Sequence, residues 1–135
     1  AVLDRAWQAA VGSVEPRGPL VLGGRSAGAR VACRTATALG AAGVVCLAFP
    51  LHPPGRPERS RFDELAGAGV PTLVVQGERD AFGRPAEFPK GAYDLVAVPH
   101  ADHGMAVPTS QSQDAATAVV VREVTRWLGN ALGVR

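Results

Sequence analysis

Residues 24–28 read GRSAG and fit the pattern G-x-S-x-G. The pentapeptide follows an apolar run, residues 20–23, and precedes an alanine-rich stretch of helical character. A chain that turns from strand to helix within a few residues forces the middle residue into strained backbone and lifts its side chain clear of the sheet. Glycines two positions either side fit such a bend, where larger side chains are expected to meet the neighbouring strand and helix. Ser26 is thereby a candidate nucleophile. The N–H of Ala27, at the helix N-terminus, is a candidate donor to a developing oxyanion. The competing reading is a plain structural turn, since a bare G-x-S-x-G arises often by chance. The strand before it and the helix after it favour the nucleophile.

A serine hydroxyl is a weak nucleophile until a base takes its proton and a third group orients that base. Residues 74–83, VVQGERDAFG, follow an apolar run with two acids, Glu78 and Asp80. Asp80 is the better candidate because it lies further into the loop, with Glu78 expected to face solvent; a turn or cap aspartate is the competing reading. Residues 98–105, VPHADHGM, offer His100 and His103. His103, followed by Gly104, suits an imidazole that must reach back over the sheet. His100 directly follows Pro99 at the strand end. A metal site built from His100, Asp102 and His103, with His52, is an alternative reading of these residues. No Cys or Glu completes that set, and it leaves the serine unexplained. The chemistry therefore needs neither metal nor cofactor.

These residues need a scaffold that gathers them. The chain has 135 residues, 47% of them hydrophobic, enough for one domain with a packed core. Apolar runs at 20–23, 43–50, 70–77 and 93–99 read as strands. Helical spacing marks 2–11, 27–39 and a long segment ending near 131, with Ser110 and Gln113 as a capping box at its start. A short helix fits 61–67, and the prolines of 51–60 make that segment loop. Strands alternating with helices imply an α/β fold, a parallel sheet of about four strands with flanking helices. Ser26, Asp80 and His103 all fall at C-terminal strand ends, the edge where open parallel sheets carry their sites.

The net charge of +2 comes almost entirely from scattered arginines, with Lys90 the single lysine, so a nucleic-acid footprint is absent. No apolar run approaches the roughly 20 residues of a membrane span. The N-terminus lacks the layout of a signal peptide. Cys33 and Cys46 read as small buried hydrophobes, and the cytoplasm is the expected compartment.

In their order, GGRSAGARVA, FPLHPPGRPE, VPTLVVQGERDAFG and VPHADHGM resemble the α/β-hydrolase superfamily, and more closely its small dienelactone-hydrolase-like members. The resemblance runs from residue 20 to about 105. It implies a partial α/β-hydrolase fold, Ser26 as nucleophile, His103 as general base, Asp80 as orienting acid and a small acyl substrate. Arg25, beside the serine, and His52, in the loop where relatives carry insertions over the pocket, become candidate substrate contacts; an inert surface loop is the competing reading for His52. No HGGG-like segment precedes Ser26, so the chain resembles the C-terminal portion of a longer hydrolase. The strand at 20–23 would then be an unpaired edge, expected to pair with a second copy or with a further segment. A non-catalytic binding module of the same fold and an acyl transferase are the other readings.

Overall fold

The strand runs are the most apolar parts of the chain, and in the computed structural model, which describes residues 2–133, they pair into one sheet. Strands β1 (Val21–Arg25), β2 (Gly43–Leu47), β3 (Thr72–Gly77) and β4 (Asp94–Val98) lie in the order β1-β2-β3-β4, and every neighbouring pair is parallel. Parallel neighbours require crossovers, and here two carry an α-helix and the third a 3-10 turn. Helices α1 (Val2–Gly12), α2 (Ala27–Thr35), α3 (Phe62–Ala66) and α4 (Gln113–Leu132) cover the sheet, with a short 3-10 turn at Pro85–Glu87. The two inner strands are buried almost throughout, while β1 and β4 border the sheet and expose part of their length. That contrast matches the continuous apolar composition of β2 and β3, which only a doubly covered strand tolerates.

Alternation along the strands divides the core into two layers. Leu22, Val44, Cys46 and Val74 pack with Ala29, Ala32 and Cys33 of α2, Leu65 of α3 and, more exposed, Trp7 of α1. Val45, Leu73, Val75 and Val98 pack with Ala116 and Trp127 of α4. Trp127 fits because Gly43 begins β2: a Cβ there would lie 3.0 Å from the indole ring. Its Nε1–H donates to Asp94 at 2.9 Å, tying α4 to β4. On the opposite layer, Arg34 of α2 forks onto Asp4 of α1 and also bonds Glu64 of α3, which Arg30 holds at 2.7 Å. Those guanidinium groups keep the Asp4 and Glu64 carboxyls below the usual carboxylate range. The helices on this face are thus joined by charge as well as by packing.

Several boundaries differ from the sequence expectation, three of them with an evident physical cause. The helix from 27 ends at Thr35, whose hydroxyl bonds the Val31 carbonyl, and turns carry the chain to Gly40 at φ +66°. The second strand stops at Leu47 rather than running to 50, because Ala48 takes φ +57° and Phe49 bonds a side chain in place of a strand. Ser112, not Ser110, caps α4, accepting from the N–H of Ala115. Gln113 instead braces the preceding loop, accepting from Val107 N–H and donating to the Met105 carbonyl.

Candidate active site

Ser26 stands between β1 and α2 with φ +54° and ψ −117°, a conformation that non-glycine residues rarely hold. Its N–H extends the sheet ladder by donating to Leu47 O at 3.0 Å, and its carbonyl receives the N–H of Ala29 at the same distance. The bend is therefore held from both sides. Gly24 is what lets it close. A Cβ on Gly24 would sit 2.2 Å from the Gly28 carbonyl carbon and 2.6 Å from Ala29 N. Gly28 differs from expectation: a Cβ there meets nothing within 4 Å beyond its own helix, so only the first glycine is sterically required. Backbone contacts cannot yield as a flexible side chain can. Gly24→Ala is accordingly expected to lower thermal stability by at least about 2 kcal/mol and to cut activity with it, whereas Gly28→Ala is tolerated. Thermal melts of the two variants check this contrast.

Ala27 is the first residue of α2, and its N–H belongs to the first turn, where helical donors have no partner within the helix. The donor lies one residue after the Ser26 hydroxyl.

The other two groups arrive from the ends of β3 and β4. Gly77, the last residue of β3, lets the loop after β4 lie directly on the sheet's end: a Cβ there would be 2.5 Å from Asp102 O. Asp102 folds that loop by accepting from the N–H groups of Gly104 and Ala106 at 2.9 and 3.0 Å. His103 is carried across in this turn. Its Nε2 lies 2.9 Å from Ser26 Oγ, and its Nδ1 lies 2.8 and 3.0 Å from the two Asp80 oxygens. The structure thus brings Ser26, His103 and Asp80 into one hydrogen-bonded line. His100 stays outside it, exposed at φ +63°, with its N–H on the Glu78 carboxylate.

Asp80 is fully buried, so its carboxylate needs partners. Besides His103 it accepts from Phe82 N–H at 2.8 Å and from Gln76 Nε2 at 3.0 Å. Gln76 is itself fully buried in β3. Its amide also pairs with both backbone groups of Phe49 and donates to Gly83 O, so one side chain stitches the loops after β2 and β3 together. The Phe82 ring stacks on His103 with centroids 4.2 Å apart. Neither Gln76 nor Phe82 was singled out from sequence. A lone amide inside the apolar run TLVVQG is the signal that could have found the first.

Arg25 is exposed beside this line, its guanidinium 3.2 Å from where a Cβ on Gly104 would be. His52 is buried, and both its ring nitrogens are already engaged, by Pro53 O and by Glu87. Neither ring nitrogen of His52 is left open to a ligand, so its expected substrate contact is not made through the imidazole. Among the described residues no group of three or more His, Cys, Asp or Glu side chains is placed to hold a metal, and no helix is long and apolar enough to cross a membrane. A cavity of about 590 Å³ lined by Pro71, Leu73, Asp94 and Trp127 opens at the opposite ends of the strands. It shares no residue with the Ser26 line, and the chemistry is located by side-chain convergence rather than by that hollow.

A parallel sheet with flanking helices, a strained serine between strand and helix, and acid and imidazole beyond the ends of two later strands define the α/β-hydrolase class. The alpha/beta hydrolase domain family matches residues 1–129, and the chain belongs to it. No curated protein matches the chain. Among solved structures, it is similar to the esterase domain of a Rhodothermus marinus protein, with 17% identity and a TM-score of 0.62 over 93% of this chain. It is also similar to a serine hydrolase without lid from Xanthomonas campestris, with 25% identity and a TM-score of 0.58 over 91% of this chain. The chain spans 66% of the first and 54% of the second.

Proposed function

We propose that the chain carries the catalytic apparatus of a serine hydrolase that cleaves esters, thioesters or similar acyl compounds through an acyl-enzyme. The observation behind this is the double engagement of His103, with Ser26 Oγ on one ring nitrogen and Asp80 on the other. His103 Nε2 takes the hydroxyl proton as Ser26 Oγ attacks the acyl carbonyl. The Ala27 N–H donates to the oxygen on which negative charge develops. The imidazolium then protonates the departing alkoxide or thiolate. A water deprotonated by the same nitrogen attacks the acyl-Ser26 ester, releases the acid and restores the hydroxyl. Asp80 accepts from Nδ1–H throughout, which fixes the tautomer and stabilises the imidazolium. The two structural relatives, an esterase domain and a serine hydrolase, agree with this reading.

Arg25 takes a polar or anionic substituent of the acyl group, since its exposed guanidinium stands at the rim beside Gly104. Arg25→Ala is expected to raise KM for carboxylate-bearing esters several-fold and to leave kcat near its original value. Equal KM changes for charged and uncharged esters would remove that role.

The test of the reaction class is rapid mixing with p-nitrophenyl acyl esters. A burst of nitrophenolate close to one per chain, with the matching acyl mass on the protein, is expected. Linear release without an acylated species contradicts the mechanism and favours a non-catalytic module of the same fold.

A further inference from the structure

His52 is buried between two oxygen atoms. Its Nδ1 lies 2.8 Å from the carbonyl of Pro53 and its Nε2 lies 2.9 Å from Glu87 Oε1. Both oxygens can only accept. A neutral imidazole has one N–H and must turn a lone pair towards one of them, whereas an imidazolium satisfies both. The Pro53 carbonyl and then Glu87 raise the proton affinity of the ring above that of an ordinary histidine, against the opposing effects of burial and of Arg61 before α3. Glu87 is held below the usual carboxylate range, first by the Arg84 N–H and then by His52, and the Arg84 guanidinium adds to this from 3.7 Å.

The pair also joins two segments that serve the Ser26 site. His52 follows β2, and its own N–H donates to Phe82 O at 3.0 Å. Glu87 belongs to the turn after β3. Between them Phe82 stacks on His103 and donates its N–H to Asp80. Gly83 marks how closely the segments meet: a Cβ there would lie 2.7 Å from Leu51 Cβ.

We propose that the ion pair between buried His52 and solvent-exposed Glu87 is a pH-sensitive clasp that positions Phe82 against His103. In its effect on catalysis this rests on the reading of Ser26, His103 and Asp80 given above. His52 is a positioning residue and touches no substrate. The sign follows from the two shifts. The His52 contribution is complete below the ordinary histidine value and disappears as pH rises through the raised one; the Glu87 contribution is present above the ordinary carboxylate value and disappears as pH falls through the lowered one. The clasp is closed between those limits. On the alkaline side it opens, Phe82 loses one of its two backbone anchors and keeps the one to Asp80, and the orientation of His103 loosens.

Glu87→Gln separates this from a merely structural contact. The glutamine amide donates to the lone pair of a neutral His52 Nε2 while Nδ1–H still serves Pro53, so the clasp no longer needs the proton. Two quantities are measured from about pH 6 to about pH 10, spanning the range of a shifted histidine. They are the hydrogen-exchange protection factor of the His52 amide and the second-order rate of Ser26 phosphonylation by a fluorophosphonate. In the wild-type chain both are expected to fall about fivefold or more with one alkaline midpoint, the scale of one lost hydrogen bond; in Glu87→Gln both stay level there. Protection that stays level in the wild-type chain overturns the proposal whether or not the variant folds. An equal fall in Glu87→Gln, or a phosphonylation rate that ignores the fall in protection, does the same. Absence of phosphonylation at every pH, with the change in protection intact, overturns the hydrolase reading and leaves the clasp supported.

Discussion

Ser26→Ala is expected to reduce acyl-ester hydrolysis by about 10³-fold or more, towards the 10⁶-fold seen where a nucleophilic serine is removed. The hydroxyl accounts for this. Its side-chain hydrogen bond runs to His103 Nε2, so the substitution takes away the attacking atom and little of the packing. The melting temperature is expected to change by no more than a few degrees, because the strained backbone of residue 26 is held by Leu47 O and Ala29 N–H and not by the hydroxyl. His103→Ala in the same assay is expected to cost a comparable factor. The double variant should be scarcely slower than either single one, since groups that act as a unit are not additive. Steady-state rates for the three variants, with thermal melts, check it. Retention of more than a tenth of the wild-type rate in Ser26→Ala contradicts the assignment.

Asp80→Asn carries the second large effect, about 10⁴-fold in kcat by the cost of a misoriented imidazole. The carboxylate accepts from His103 Nδ1–H, Phe82 N–H and Gln76 Nε2, all donors. An asparagine keeps one accepting oxygen and brings an NH2 group that must face at least one of those donors. If the NH2 faces His103, the proton moves to Nε2, which then donates to Ser26 Oγ when it should accept. The fully buried setting makes the mismatch costly to the fold as well, by about 1–3 kcal/mol. The measurement is kcat together with a thermal melt. A kcat within tenfold of the wild type would show that the orientation of His103 does not depend on Asp80.

The nucleophile position is legible in sequence because it depends on local geometry: strand, glycine, serine, helix. The acid and base are legible as candidates because loops at strand ends are short and offer few choices. What separates His103 from His100 is not local. Gly77 lets the loop lie on β3 and Asp102 shapes its turn, and neither residue carries that message before the sheet is assembled. The support around Asp80 is hidden for the same reason. Gln76 looks like one polar residue in an apolar strand until Phe49, Asp80 and Gly83 are brought to it. The end of β2 follows from that same amide, which occupies the Phe49 backbone groups a longer strand would use. The Gly28 reading failed through symmetry: the pattern has two glycines, but the bend crowds only the first. His52 is visible as a histidine among prolines, and its meaning comes wholly from Glu87, 35 residues further on.

The most direct measurement is peptide mapping after exposure to a fluorophosphonate. One phosphonyl group on Ser26, at a stoichiometry near one per chain and lost when His103 is replaced, is the expected result. A chain that stays unlabelled, or that is labelled on another serine while Ser26 remains free, contradicts the account.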